Sequence, residues 1–333
     1  MVTREKVLVT GGGGFLGRAI VKKLLKDKVI VKSFARNLYQ QLSRLGVEQI
    51  QGDLSNKNDV VNACKGCTSV FHVAAKPGIW GTWQEYYSVN YIGTLNVIKA
   101  CKKNKVSRLI HTSSPSVIFN GKDMEGVDET YPYPEKFEGY YSETKAMAEK
   151  IVLGCSSNTL KTIILRPHLI WGPGDNHLIP GIIKRSKRLK KIGRTDDLVD
   201  TIYIDNAADA HVLAWEKLKK NPGLSKSIYF ISQDQPISKW EMADRFLQAA
   251  GLPPVKGYVS KKTAFWAGAV FEIFYRLFNI KKEPVMTRFA AKELATSHWF
   301  DISKAKNELG YVPKVSIEQG LEKLKEWYEK QNV

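Results

Sequence analysis

A chain of 333 residues, 43% hydrophobic and 25% charged, is long enough for a large core and too ordinary in composition to be disordered or fibrous. With 51 basic and 33 acidic residues its formal net charge is +18, which favours anionic partners: a phosphorylated cofactor, a fatty carboxylate, nucleic acid or a membrane surface. Four cysteines, Cys64, Cys67, Cys101 and Cys155, suit a reduced compartment, and the single CxxC has no second pair to complete a metal site.

The opening, MVTREKVLVTGGGG, passes into an apolar run and a glycine loop without a leader pattern, so a cytoplasmic location is expected. KVLVT (6–10) reads as a strand, FLGRAIVKKLLKD (15–27) as a helix, VIVKSFA (29–35) and VEQIQGD (47–53) as strands. DVVNACKG is a helix stopped by Gly66, SVFHVAA (69–75) a buried strand, 83–103 one long helix, and SRLIHTSS (107–114) a further strand. YYSETK opens another helix, and KTIILRP (161–167) is a strand ended by proline. This repeated βα rhythm predicts an α/β fold, a doubly wound parallel Rossmann sheet. After Pro167 come a Gly- and Pro-rich loop, HLIWGPGDNHLIPG, one more strand and helix over 198–218, and mixed helix and turn over 232–300. The predicted division is a dinucleotide-binding domain over 1–167 with a return segment near 198–231. Residues 168–197 and 232–333 then form a smaller, mostly helical, discontinuous substrate-binding domain.

TGGGGFLG puts Gly11, Gly14 and Gly17, with Phe15 and Leu16 between the last two, after a strand and before a helix. Glycines let backbone approach a pyrophosphate whose charge the helix amides stabilise, so these residues are expected to hold a dinucleotide. The second strand ends in Ser33-Phe34-Ala35-Arg36, without the acid that would bind an NAD ribose. Ala35 leaves room for a 2′-phosphate and Arg36 can grip it; NADP(H) is preferred and NAD(H) possible. Asp53, followed by Leu54, is placed to meet the adenine amino group, and Ala74 and Ala75 are small enough to admit the cofactor. In YYSETK, helical spacing sets Tyr141 beside Lys145 and Tyr140 beside Thr144.

These segments, with VNYIGTLNV (89–97), TSSPSV (112–117), LRPHLIWGPGD (165–175) and FDISKAKNELGYVPK (300–314), resemble the extended short-chain dehydrogenase/reductase superfamily over nearly the whole chain. Within it the chain looks most like the 3β-hydroxysteroid dehydrogenase group, and GGGGFLG, HVAAKPGIWG and ATSHWFDIS are similar to the bacterial 2-alkyl-3-oxoalkanoate reductases of long-chain olefin synthesis. The resemblance implies that Tyr141 exchanges a proton with the substrate oxygen while a nicotinamide exchanges hydride with its carbon. A phenol of pKa about 10 needs a nearby cation to exchange a proton easily at neutral pH, and Lys145 is expected to supply it. Ser114 would be the second donor to that oxygen and Ser113 would stand nearer the nicotinamide, with Pro167 beside the ring. Asn90 would support the site from behind; its bland alternative is an ordinary amide inside a helix. The helices around 83–103 and 140–155 resemble the pair through which family members dimerise, so a homodimer is expected.

Residues 263–280, TAFWAGAVFEIFYRLFNI, carry an aromatic face of Phe271, Phe274, Tyr275 and Phe278, with Glu272 and Arg276 on another. Bracketed by Lys261, Lys262, Lys281 and Lys282, the segment is read three ways: core helix, greasy lid, or peripheral membrane contact. A hydrophobic small-molecule substrate is expected, a 3-oxo fatty acid or 3β-hydroxysteroid type. KRSKRLKK (184–191) lacks the aromatic interleaving of a nucleic-acid site, and no nucleic-acid partner is expected. His168 and His177 lack companion ligands, so no metal is assigned. The leading reading is an NADP(H)-dependent enzyme interconverting a ketone and a secondary alcohol. Two alternatives stay open: an NAD-dependent nucleotide-sugar epimerase or dehydratase, and a non-catalytic NADP-binding sensor.

Overall fold

A computed structural model of the chain describes residues 5–193 and 196–331. Strands β1 (Lys6–Thr10), β2 (Ile30–Ala35), β3 (Glu48–Gln51), β4 (Ser69–His72) and β5 (Arg108–Thr112) alternate with helices α1 (Phe15–Lys26), α2 (Gln40–Arg44), α3 (Lys57–Ala63), α4 (Trp83–Tyr86) and α5 (Gly93–Lys103). Then come β6 (Met124–Val127), α6 (Tyr140–Cys155) and β7 (Lys161–Pro167). The second half holds β8 (Ile170–Trp171), α7 (Leu178–Arg185), β9 (Lys191–Ile192), β10 (Leu198–Val199), β11 (Ile202–Tyr203), α8 (Ile204–Lys220) and β12 (Ser227–Ile231). It closes with β13 (Ile237–Ser238), α9 (Lys239–Ala249), β14 (Tyr258–Val259), α10 (Lys261–Leu277), α11 (Arg288–Leu294), β15 (His298–Phe300) and α12 (Ile317–Glu329).

The main sheet has seven parallel strands in the order β12-β7-β5-β4-β1-β2-β3, the Rossmann arrangement expected from the βα rhythm. Strand order reverses between β1 and β4, which opens a crevice at their carboxyl ends. Alternation along the strands splits the core: Val7, Val9, Ile110 and Ile163 pack with Ile20 of α1 and Ala207 of α8, while Leu8, Val70, Leu109 and Ile164 pack with α3, α5 and α6. Each such side chain removed from water contributes roughly 1.5–3 kcal/mol, so both helix layers are bound mainly by apolar burial.

Three details differ from the sequence pattern. Strands β4 and β5 end at His72 and Thr112, before Ala75 and Ser114, because ladder pairing stops there and the chain turns away from the sheet. The helix expected over 83–103 contains a π-helical turn, Tyr87–Ile92, between α4 and α5. Finally, β10 and β11 lie outside the main sheet, whose last strand is β12; β10 joins β13, β15 and β6 in a small sheet built from segments as distant as Met124 and Phe300.

The C-terminal helices form a smaller core of Trp240, Leu247, Ala264 and Ala291. The face of α10 that packs is Ala264, Gly268 and Glu272, spaced one turn apart. A Cβ on Gly268 would stand 2.6 Å from the Thr287 carbonyl carbon, so glycine permits the close approach to α11. Glu272 accepts hydrogen bonds from the Arg288 backbone N–H at 2.7 Å and Nε at 2.8 Å. The expected aromatic face is therefore not the packed one, since Phe271, Phe274 and Phe278 are exposed.

Candidate active site

A cleft of about 770 Å³ runs along the carboxyl ends of the main strands, and the residues expected to touch a dinucleotide meet in its wall. Gly11, Gly14, Phe15, Leu16 and Gly17 line it with Ala74 against Gly11, Arg36 neighbours Asp53 and Leu54, and Ala75, Ser113, Tyr141, Lys145 and Pro167 complete the wall. A second depression beside the Lys191–Asp244 ion pair contains none of them.

The glycine loop is tight for identifiable reasons. Gly11 has φ +70°, a conformation that side chains disfavour, and its N–H donates to the Phe34 carbonyl at 2.7 Å. A Cβ on Gly17 would lie 2.1 Å from the Gly11 carbonyl oxygen, so only glycine lets α1 start this close to the loop. Helix α1 follows Gly14, which offers no side-chain cap, and has no acid in its first turn, leaving its leading amides and the positive end of its dipole for an anion. These features fit a dinucleotide pyrophosphate. Arg36 is exposed, and Asp53 is held ionised by hydrogen bonds from the Ser55 hydroxyl and N–H, with Arg36 adding to the effect.

Tyr141 and Lys145 both face the cleft, whereas Tyr140 is 42% exposed and packs edge-on to Trp83. Lys145 is buried and donates to the Thr112 carbonyl at 2.6 Å. Burial lowers its pKa to about 8, opposed by Glu149 one turn along α6. Glu149 is itself fixed by Arg166 of β7 and by the Tyr133 hydroxyl at 2.6 Å, so this buried network ties α6 to the sheet. The Tyr141 phenol is pushed up to about 12 by burial; a hydrogen bond with Ser114 opposes the shift and the Glu293 carboxylate adds to it. The lowering expected from Lys145 is absent in this structure: burial dominates, and the effect that opposes it comes from Ser114.

Ser114 accepts hydrogen bonds from the Ser116 hydroxyl at 3.0 Å and N–H at 3.3 Å, which leaves its own proton for Tyr141 or a substrate oxygen. Ser113 Oγ is buried without a hydrogen-bond partner among the described residues. Asn90 does not line the cleft. It is buried in the π-helical turn, where its Oδ1 accepts from the Lys76 N–H at 2.8 Å and its Nδ2 donates to the Lys76 carbonyl at 3.3 Å and Thr144 Oγ1 at 3.2 Å. It acts as a clamp between the cleft-lining segment at Lys76 and the helix carrying Tyr141. The π turn gives it that reach.

Sequence reasoning missed Ser116, Phe289 and Glu293 in this wall. Ser116 had a local signal, two residues beyond Ser114 on a turn set by Pro115. Glu293 had none: α11 is brought over the cleft by its packing on α10, by Phe289 against Phe119 and by the Lys292–Glu138 ion pair. Burial raises the Glu293 carboxyl to about 7, opposed by Lys239, whose ammonium donates to the Glu293 carbonyl oxygen at 2.7 Å. His168 also lines the cleft; burial holds its ring neutral near neutral pH, with a pKa of about 3, and Nε2 has no partner among the described residues. No group of three or more His, Cys, Asp and Glu converges as a metal-binding set among those residues. The four cysteines are free and buried.

Residues 8–259 match the model of the 3-beta hydroxysteroid dehydrogenase/isomerase family. The 2-alkyl-3-oxoalkanoate reductase of Shewanella oneidensis is 50% identical over 327 residues, covering 95% of this chain and 84% of that protein. The decarboxylating sterol-4-alpha-carboxylate 3-dehydrogenase of Mus musculus is 32% identical, covering 96% and 90%. Among solved structures, MoeE5 in complex with UDP-glucose and NAD superposes with a TM-score of 0.76 over 98% of this chain and all of its own, at 24% identity, a likeness of fold alone.

Proposed function

The chain belongs to the 3-beta hydroxysteroid dehydrogenase/isomerase family, and on that premise we propose that this NAD(P)-dependent oxidoreductase reduces a hydrophobic 3-oxo carboxylate to the 3-hydroxy compound, or runs the reverse, with NADP(H) preferred. The substrate class rests on what the names of two relatives share. An oxoalkanoate and a sterol carboxylate each place a carboxyl group on the carbon next to the oxidised or reduced one.

The carrying observation is the meeting of Ser114, Tyr141 and Lys145 in one wall of a cleft whose other end fits a dinucleotide. A bound nicotinamide supplies or accepts the hydride. Tyr141, protonated at neutral pH because its pKa is raised, donates the proton to the carbonyl oxygen during reduction. Ser114 gives that oxygen a second hydrogen bond as negative charge develops, and Ser116 orients Ser114. Lys145, buried at the Thr112 carbonyl, holds the base of the site and offers its remaining N–H groups to the nicotinamide ribose. Phe289 and Ile79 supply apolar wall at the substrate end; Ser116, His168 and Glu293 supply the polar groups there.

The cofactor preference rests on Ala35 and Arg36, where a neutral small side chain and an exposed guanidinium suit a 2′-phosphate. The test is a spectrophotometric screen of NADPH and NADH oxidation against 3-oxo carboxylates, 3-oxosteroids and nucleotide sugars. NADPH-linked turnover of the 3-oxo carboxylates is expected, with Arg36→Ala weakening NADPH about tenfold and NADH little. Flat traces with every ketone would favour a sensor, and turnover of a nucleotide sugar on tightly held NAD would favour an epimerase.

A further inference from the structure

A carboxylate that enters a cleft loses water and needs a charged partner there. Lysine and arginine line this cleft at three positions, Arg36, Lys76 and Lys145. Arg36 stands beside Asp53, where it suits the cofactor's 2′-phosphate. Lys145 is buried, with one N–H taken by the Thr112 carbonyl at 2.6 Å. His168 is held neutral at neutral pH by burial. Lys76 is left, and nothing in the catalytic or cofactor assignments uses it.

The surroundings of Lys76 suit an anion. Its ammonium lies 5.1 Å from the centre of the Tyr86 ring and 3.7 Å from Glu85 Oε2, too long for a hydrogen bond. That carboxylate is half-exposed, and its Oε2 already accepts from the Thr82 N–H at 2.9 Å in the box that caps α4. An ion pair so long and so exposed is weak and easily exchanged for a better one. The backbone beneath is, by contrast, fixed. Asn90 holds both the N–H and the carbonyl of Lys76, at 2.8 and 3.3 Å, and the Tyr86 hydroxyl donates to the Gly78 and Trp80 carbonyls at 2.9 and 3.2 Å. A rigid loop therefore presents one lysine whose head is free to turn.

Its place relative to the proposed acid also fits. The ring of Tyr86, over which the ammonium sits, is 6.4 Å from the ring of Tyr141 between centroids. In a 3-oxo carboxylate the carboxyl carbon is two bonds from the carbonyl carbon, so its cation belongs near Tyr141 but not upon it. We propose that Lys76 binds the substrate carboxylate and so selects the acid over its ester. The inference rests on the 3-oxo carboxylate reading given above and names the side chain that would recognise the carboxyl group. It also gives the Asn90 clamp a purpose, since the loop it holds would carry the specificity residue.

The test compares a 2-alkyl-3-hydroxyalkanoate with its methyl ester, each oxidised with NADP+ by the wild-type protein, Lys76→Met and Lys76→Arg. In Lys76→Met the ratio of kcat/KM for acid over ester should fall at least about tenfold, mainly through KM, and Lys76→Arg should restore most of it. Calorimetric titration of the acid and the ester into the NADPH-loaded protein reads the same contact without turnover. The acid should bind Lys76→Met at least about tenfold more weakly, while the ester's affinity changes little. The lysine side chain is 30% exposed, and an unchanged melting temperature would confirm that each variant folds. An unchanged acid-to-ester ratio in folded Lys76→Met overturns the proposal, and so does an acid that fails to bind the wild-type protein. Weaker NADPH binding with equal losses for acid and ester would give Lys76 to the cofactor and overturns it too. An acid that binds through Lys76 yet is never oxidised supports this contact and refutes the proposed reaction. An acid oxidised with its ratio unchanged leaves the reaction standing and removes the contact.

Discussion

The two ends of the cleft are built by opposite means. The proposed cofactor end is made mostly of backbone: Gly11, Gly14 and Gly17 remove side chains so that amides and a helix terminus are open to a ligand, and one short segment supplies most of it. The proposed substrate end is made of side chains from separate elements, with Ser114 and Ser116 after β5, Tyr141 on α6, His168 after β7 and Glu293 on α11. A site made from backbone tolerates little but glycine, while a site made from converging side chains can change its specificity one residue at a time.

The strongest challenge to this contrast is at the shared centre. Tyr141→Phe removes only the proton-bearing oxygen, so kcat for ketone reduction should fall about 10²- to 10⁴-fold, or roughly 3–5 kcal/mol of barrier, with cofactor affinity nearly unchanged. Near-normal turnover would show that the tyrosine is not the acid.

At the cofactor end, Gly17→Ala would force its methyl group into the Gly11 carbonyl oxygen. Cofactor affinity should drop about tenfold or more and the protein should lose roughly 1–3 kcal/mol of stability. Isothermal titration and thermal unfolding read the two effects, and a tolerated alanine would mean that the backbone approach is not what the loop provides.

Glu293 offers a finer test at the substrate end. Its carboxyl titrates at about 7, and its charge above that pH helps to hold the Tyr141 phenol protonated. Glu293→Gln removes the charge, so the Tyr141 pKa should fall and the alkaline loss of reductase kcat/KM should begin at lower pH, by up to about one unit. Below about pH 7, where Glu293 is already neutral, the two pH profiles should coincide. Profiles that superpose throughout would separate Glu293 from the tyrosine. The smallest change is Tyr140→Phe, which loses an outward-facing hydroxyl; kcat within about twofold of wild type is expected, and a large loss would reverse the assignment of the two tyrosines.

Much of this was legible in the chain. Apolar runs five to seven residues long, each followed by a helical pattern, were enough for a parallel sheet, and the spacing of Gly11, Gly14 and Gly17 located its crevice. Helical period separated Tyr141 from Tyr140, since neighbours on a helix face directions about 100° apart. Less legible was the state of the Tyr141–Lys145 pair. Spacing predicted a cation beside a phenol, but the depth of burial, which decides the net shift, is a property of everything packed around the pair.

What the sequence by itself determined is local: hydrophobic period, glycine freedom and the residue types available for proton exchange all act over a few neighbouring positions. Tertiary structure decided which distant groups converge. It placed Glu293 over Tyr141, had Asn90 clamp Lys76 to α6, and brought the basic run ending at Lys191 beside α10. It also chose which face of α10 is covered. The pattern offered an aromatic face for burial, but small residues allow two helices to approach, so Ala264 and Gly268 went inward and most of the aromatic face was left in solvent.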